Sequence, residues 1–236
     1  SKNFRIALLI AKQLYPVIEK WANPYKPKIM ITGSFAKGTS IKDTTDIDLF
    51  ISLPSIIPDT LEDIYLDLTE YLRINGFEVR EQNVSIGLKY KGLSIDLIPA
   101  KRQPRSLNDH SIYRHKAKTW TKTNIHKHIN LVRESGRLGE IRGIKIWREI
   151  NSLEFPSFFL ELSVINALKG TKTLLLPTNL WKIFKYLATD FYNTRILDPS
   201  NQNNIISDDL TKSEKQHIVD AANLTLLQSS WNTIIW

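Results

Sequence analysis

Asp46-Ile47-Asp48-Leu49-Phe50-Ile51-Ser52 is the stretch whose reading decides the fold. Its polar and apolar side chains alternate from Asp46 to Leu49, the pattern of a β-strand with one face in a core. Asp46 and Asp48 then point the same way, and Ile47, Leu49 and Ile51 point into the core. Two neighbouring carboxylates on one sheet face repel each other. A hard divalent cation such as Mg²⁺, or Mn²⁺ in its place, removes that cost.

A second run, Leu93-Ser94-Ile95-Asp96-Leu97-Ile98, follows the same grammar. Asp96 faces away from Ile95 and Leu97, so it joins the first pair if the two strands are neighbours. Three carboxylates, Asp46, Asp48 and Asp96, can hold two metal ions about 3.5–4 Å apart. One ion would lower the pKa of an attacking hydroxyl, and the other would neutralise a triphosphate and its leaving pyrophosphate. Asp96 could also act as general base. A lone D-x-D is more often a solvated acidic strand, and the matching second strand argues against that here.

Upstream, the β-type run Lys28–Thr32 ends in Gly33-Ser34, followed by Phe35-Ala36-Lys37-Gly38-Thr39-Ser40. Glycine lets a backbone approach phosphate closely, and N–H groups at a strand-to-helix turn bind phosphate oxygens. Eleven residues separate Ser34 from Asp46.

Residues 4–22 and 59–74 carry helical periodicity. Further β-type runs cover 77–80, 84–90 and 93–98, with Lys91-Gly92 as a tight hairpin between the last two. Residues 99–122 read as a basic, loop-rich connection. Helical patterns then fill 123–134, 139–150, 157–169, 178–192 and 211–229. The expected class is α+β, with a small mixed-sheet lobe followed by an all-α lobe. The expected division is 1–110 and 111–236, with the active-site cleft between the lobes.

The chain has 236 residues and no cysteine, which excludes disulfides and thiolate zinc sites. No apolar run approaches the roughly 20 residues of a membrane span. The apolar stretch Ala7–Ala11 is too short for a signal peptide. Cytoplasm is the expected compartment. The net charge of +8 is concentrated: Lys101 to Arg148 holds 13 Lys or Arg against Asp109, Glu134 and Glu140. Such a segment suits a polyanion, whether triphosphate, RNA or DNA, although a basic face is often merely solvated.

Gly33-Ser34, the eleven-residue gap, Asp46-Ile47-Asp48 and Asp96 together resemble the signature of the DNA polymerase β-type nucleotidyltransferase superfamily. The strings Gly-Ser-Phe-Ala-Lys-Gly-Thr (33–39) and Thr-Asp-Ile-Asp-Leu-Phe (45–50) are similar to a narrower set. That set holds the archaeal-type CCA-adding enzymes, the oligoadenylate synthetases and the bacterial cGAS/DncV-like synthases (CD-NTases). Residues 141–147 and 155–162 resemble its helical region, and Thr123-x-x-His126 resembles an element of CCA-adding enzymes. Leu197-Asp198-Pro199 with Asn203-Asn204 resembles a late loop of oligoadenylate synthetases.

The resemblance implies a palm-like nucleotidyltransferase lobe that binds NTPs, chiefly ATP, with Mg²⁺ or Mn²⁺. It implies nucleotide contacts at Gly33, Ser34, Lys37, Thr39, His126, Arg142, Lys145 and Ser157. Lys145 also has a physical case, as a cation between Ile144 and Ile146 in the most basic segment; the bland alternative is an exposed helix lysine. Arg142 lies three residues earlier, on nearly the same face. His126 and His128, lacking acidic neighbours, do not read as a metal pair. Trp120, Tyr113 and Phe158 could stack a base or simply fill a core. Glu161, in the apolar run 155–162, needs a partner if buried.

The leading expectation is a second-messenger synthase joining NTPs into a linear or cyclic oligonucleotide, in a setting of antiviral defence. A template-independent RNA 3′-end transferase of CCA type is the alternative. It is favoured by the basic segment and Thr123-x-x-His126, and disfavoured by the little chain left after residue 205 for further tRNA-binding domains. A non-catalytic RNA- or partner-binding relic and a protein-modifying transferase complete the set.

Overall fold

The computed structural model describes residues 2–41, 46–173 and 175–234. The chain divides into two compact units, residues 1–129 and 130–236.

The first unit opens with α1 (Lys2–Trp21), β1 (Lys28–Ile31), the short α2 (Gly33–Lys37), β2 (Ile47–Leu53) and α3 (Leu61–Ile74). Five strands follow: β3 (Val79–Glu81), β4 (Ile86–Tyr90), β5 (Leu93–Arg102), β6 (His110–Arg114) and β7 (Thr119–Thr123). One mixed sheet holds all seven strands in the order β1-β2-β5-β4-β3, with β6 on β5 and β7 on β6. β2 and β5 are parallel, and the other pairs are antiparallel. β5 is long enough to pair β4 along Leu93–Leu97 and β6 along Ala100–Arg102. Lys91 and Gly92 both take positive φ in the β4–β5 turn, as a two-residue hairpin of the favoured twist requires.

α1 and α3 cover one face of this sheet. Leu14 and Ile18 of α1, with Ile64, Tyr65, Leu68 and Leu72 of α3, bury Ile47, Leu49, Ile51, Ile95 and Leu97. The face bearing the aspartates has a smaller apolar cluster of Phe50, Ala100, Ile112 and Ile125. α3 is started by a capping box, in which the Thr60 hydroxyl accepts from the Asp63 N–H and the Asp63 side chain accepts from the Thr60 N–H.

Residues 99–122 are therefore not a loop. β5 runs on to Arg102, and β6 and β7 extend the sheet. Basic side chains on the outer positions hide the alternation, while β-branched and aromatic residues such as Ile112, Tyr113 and Thr121 carry it. Because these strands belong to the sheet, the division falls inside α4 (Ile125–Glu134), at Ile129/Asn130, and not at 110/111.

The second unit contains α5 (Leu138–Ile150), α6 (Ser157–Ala167), α7 (Leu176–Thr189), a two-stranded hairpin of β8 (Leu197–Asp198) and β9 (Asn201–Ile205), and α8 (Lys212–Leu226). Its core gathers Trp147, Phe159, Phe184 and Phe191. The Trp147 indole donates to Thr225 Oγ1 at 2.8 Å. The hairpin is where a late loop was expected. Its Asp198 is buried and accepts from Ser200 and Asn204. Among the described residues no helix is long and apolar enough to cross a membrane.

Candidate active site

Strand alternation and sheet register build the centre of the site. Asp48 and Asp96 are Cα partners in the parallel β2–β5 pair. Their strand neighbours Ile47, Leu49, Ile95 and Leu97 are buried on the opposite face. Asp48 and Asp96 are half-buried, and Asp46, immediately before β2, is exposed. Burial pushes the Asp96 carboxyl above its ordinary proton affinity, and the charge of Asp46 pushes it the same way. Gln82, Arg80 and Ser85 act against that shift. Among the described residues, no three acidic or histidine side chains close to ion-holding distance. Asp48 and Asp96 thus lie side by side on the inner β2–β5 pair, and Asp96 feels the charge of Asp46.

The glycine-serine turn is fastened to β2 beside Asp48. The Thr32 N–H donates to the Asp48 carbonyl at 2.9 Å. Gly33 follows at φ 63°, and a Cβ there would run into the Asp48 carboxylate. No residue but glycine fits that approach. Gly33 opens α2, whose first-turn N–H groups have no intrahelical acceptor. Gly38, at φ 78°, closes it by donating to the Ser34 carbonyl at 2.9 Å. The Ser34 hydroxyl is buried and has no partner among the described residues. Thr39 is wholly buried and Lys37 nearly so. Both are engaged in interactions. Thr45, part of the motif, lies outside the described residues.

A feature that the sequence reading missed surrounds Asp96. Gln82 Nε2 donates to Asp96 Oδ1 at 3.0 Å, and Ser85 Oγ donates to Gln82 Oε1 at 2.8 Å. Gly87 lies opposite Asp96 in the β4–β5 register. Gln82 falls between two β-type runs, where a polar residue reads only as turn. The available signal was Gly87, since glycine inside a strand often marks a close approach. A pocket of about 230 Å³ beside it is lined by Arg80, Gly87, Lys89, Ser94 and Asp96, among others.

His126 is exposed in the first turn of α4, and Thr123 is buried at the end of β7. The remaining expected contacts lie in the second unit. Arg142 on α5 is exposed, and Lys145, three residues on, is buried. Lys145 Nζ donates to Glu161 Oε1 at 2.8 Å, and this supplies the partner that Glu161 required. Ser157 begins α6, and its hydroxyl accepts from Arg148 Nη1 at 3.0 Å.

Comparison with known proteins fits this arrangement. The model of the family described as "Nucleotidyltransferase domain" matches residues 14–134. Among solved structures, CdnC of Escherichia coli MS115-1 with ATP is similar over 95% of this chain and 89% of its own, with a TM-score of 0.76 and 21% identity. The CD-NTase CdnG of Bradyrhizobium diazoefficiens, in complex with GTP, is similar over 94% and 86%, with a TM-score of 0.73 and 15% identity. The cyclic AMP-GMP synthase DncV of Vibrio cholerae is similar over 87% and 65%, with a TM-score of 0.63 and 14% identity. A curated relative, the CCA-adding enzyme of Picrophilus torridus, is 27% identical over 168 residues, 65% of this chain; the chain spans 39% of that protein's length. With paired aspartates, a glycine-serine turn pinned against one of them and a family match covering both, the chain belongs to the nucleotidyltransferase domain family and is a nucleotidyltransferase.

Proposed function

We propose that this nucleotidyltransferase joins NTPs, ATP foremost, into a short linear or cyclic oligonucleotide. One observation carries the reading: the CD-NTase fold matches at least 94% of this chain in the two best-covered comparisons described above.

In the proposed reaction a ribose hydroxyl of one nucleotide attacks the α-phosphorus of another. The new O–P bond forms as the bond to the β-phosphate bridging oxygen breaks, and pyrophosphate leaves. The donor set fits a hard divalent cation, since Asp46, Asp48 and Asp96 offer only carboxylate oxygens and burial of Asp96 beside Asp46 strains two like charges. Bound there, Mg²⁺ or Mn²⁺ would neutralise the triphosphate and lower the pKa of the attacking hydroxyl. Asp96, whose proton affinity is raised, takes the hydroxyl proton. The α2 N–H groups and the Ser34 hydroxyl hold β- and γ-phosphate oxygens. His126, exposed on α4 of the first unit, is assigned to a phosphate contact, and the KM for ATP in its alanine variant tests this.

A second reading is nucleotide addition to an RNA 3′ end. The similarity to the Picrophilus torridus CCA-adding enzyme and the basic segment 101–148 favour it. The test is a product assay with all four NTPs and Mg²⁺ or Mn²⁺, with and without total tRNA, resolved by mass spectrometry beside the Asp46→Ala/Asp48→Ala double variant. Small oligonucleotides made without RNA are the expected result. Nucleotide appearing only on RNA overturns the messenger reading in favour of the second.

A further inference from the structure

We propose that Gln82 is the positioning residue of the third carboxylate. By holding one oxygen of Asp96, it fixes the direction in which the other is presented to the metal and the attacking hydroxyl. The proposal rests on the reading of Asp96 as a metal-binding carboxylate.

Three observations converge on it. First, the Gln82 amide has one orientation. An ionised carboxylate only accepts, so the NH₂ group is what faces Asp96 and donates to Oδ1 at 3.0 Å, while the Ser85 hydroxyl donates to Oε1 at 2.8 Å. An amide free to flip would offer Asp96 either a donor or a repelling oxygen.

Second, the main chain beneath the amide is held independently of it. Tyr65 is wholly buried. Its hydroxyl lies 2.8 Å from the Gln82 carbonyl and 3.0 Å from the Ser85 carbonyl. The same oxygen accepts from the Gln82 N–H at 3.0 Å. The Gln82 N–H also reaches the Ser85 carbonyl at 3.1 Å. The turn is therefore closed without help from the amide, which is left to act on Asp96.

Third, the sheet makes room for the contact. A Cβ on Gly87 would stand 2.7 Å from Gln82 Nε2 and 3.3 Å from Asp96 Oδ1. A glycine inside a strand gives up side-chain packing. Here the missing side chain is what lets the amide lie against the carboxylate. The amide tip would normally swing aside for a methyl group, but here that movement breaks its bonds to Asp96 and Ser85.

The test compares wild type, Asp96→Asn, Gln82→Leu and Gly87→Ala. Mn²⁺ affinity is read by electron paramagnetic resonance with an ATP analogue carrying a methylene bridge between the α- and β-phosphates. Turnover of ATP is measured alongside. Groups that orient metal-binding side chains typically contribute about 10–100-fold to metal affinity or activity. Gln82→Leu and Gly87→Ala are expected to weaken Mn²⁺ binding and lower kcat by about that range, with the KM for ATP within about twofold of wild type. A purely structural role would instead shift the melting temperature and leave Mn²⁺ affinity unchanged. If Gln82→Leu fails to fold, Gly87→Ala, which retains the Tyr65 bonds to the turn, carries the test. Loss of Mn²⁺ in Asp96→Asn with wild-type affinity in both other variants overturns the proposal alone. Wild-type affinity in Asp96→Asn overturns the reading of Asp96, and this proposal with it.

Discussion

Asp48 and Asp96 stand directly opposite each other across the parallel β2–β5 pair. Strands so paired place their side chains on the same face, a few ångströms apart. Their backs are sealed by Leu49, Ile95 and Leu97, so neither carboxylate can turn away without exposing the core.

Replacing either carboxylate removes charge without opening a cavity. Asp48→Asn and Asp96→Asn are each expected to lower kcat by about 10²–10⁴-fold, the range for loss of a positioned acid–base or charge-stabilising group. Far-ultraviolet circular dichroism should stay at wild type, and pyrophosphate release reports the rate. Near-normal turnover in either variant would remove that residue from the chemistry.

Gly33 allows a sharper test, because a second glycine serves as its control. Gly33 and Gly76 both take positive φ, 63° and 81°. A Cβ on Gly33 meets the Asp48 carboxylate, whereas one on Gly76 meets nothing within 4 Å. Both alanine variants are expected to lose more than about 1 kcal/mol from backbone strain alone. Only Gly33→Ala should also lose transfer activity, since it displaces Asp48. Urea denaturation beside pyrophosphate release separates the two effects. Equal activity in the two variants would show that the turn tolerates movement of Asp48.

Lys145 tests a different balance. Its ammonium lies 2.8 Å from Glu161, with the two side chains 4% and 1% exposed. Removing one member of a buried pair leaves the other charge stranded, at a cost of about 3–5 kcal/mol. Lys145→Ala is therefore expected to unfold at markedly lower urea. The Lys145→Met/Glu161→Leu double variant should recover most of that loss. A wild-type midpoint with a raised KM for ATP would show that phosphate, and not Glu161, is the main partner of Lys145.

These tests also mark what the sequence could and could not show. The aspartates were legible because alternation is local: Ile47 and Leu49 say where Asp48 points without any knowledge of the neighbouring strand. That Asp96 would be its register partner depended on a pairing 48 positions away, which periodicity does not specify. β6 and β7 were missed because Arg114, Lys116 and Lys122 mask the alternation, and basic residues on an outer strand look like loop. The Lys145–Glu161 pair joins α5 to α6, and helical spacing within α5 is blind to it. Gln82 was invisible because its role is set by the turn that Tyr65 closes, 17 positions away.

The raised proton affinity of Asp96 has a thermodynamic consequence. Burial and the charge of Asp46 push its pKa above the ordinary 3.8. Between that ordinary value and the raised one, the folded state binds more protons than the unfolded state. Stability therefore falls as pH rises through this window, and the penalty persists at neutral pH. Asparagine carries no charge at any pH and keeps an oxygen for Gln82. Asp96→Asn is thus expected to melt at a higher temperature than wild type at pH 7, while its transfer of nucleotide slows by the same factor of about 10²–10⁴. The difference should shrink as the pH drops below the ordinary carboxylate range, where wild-type Asp96 is protonated in both states. Thermal denaturation of the pair across that range checks both the sign and the window. A lower melting temperature for Asp96→Asn at pH 7 would mean that Gln82 and Arg80 outweigh burial and repulsion, making the carboxylate a stabilising group and not a strained one.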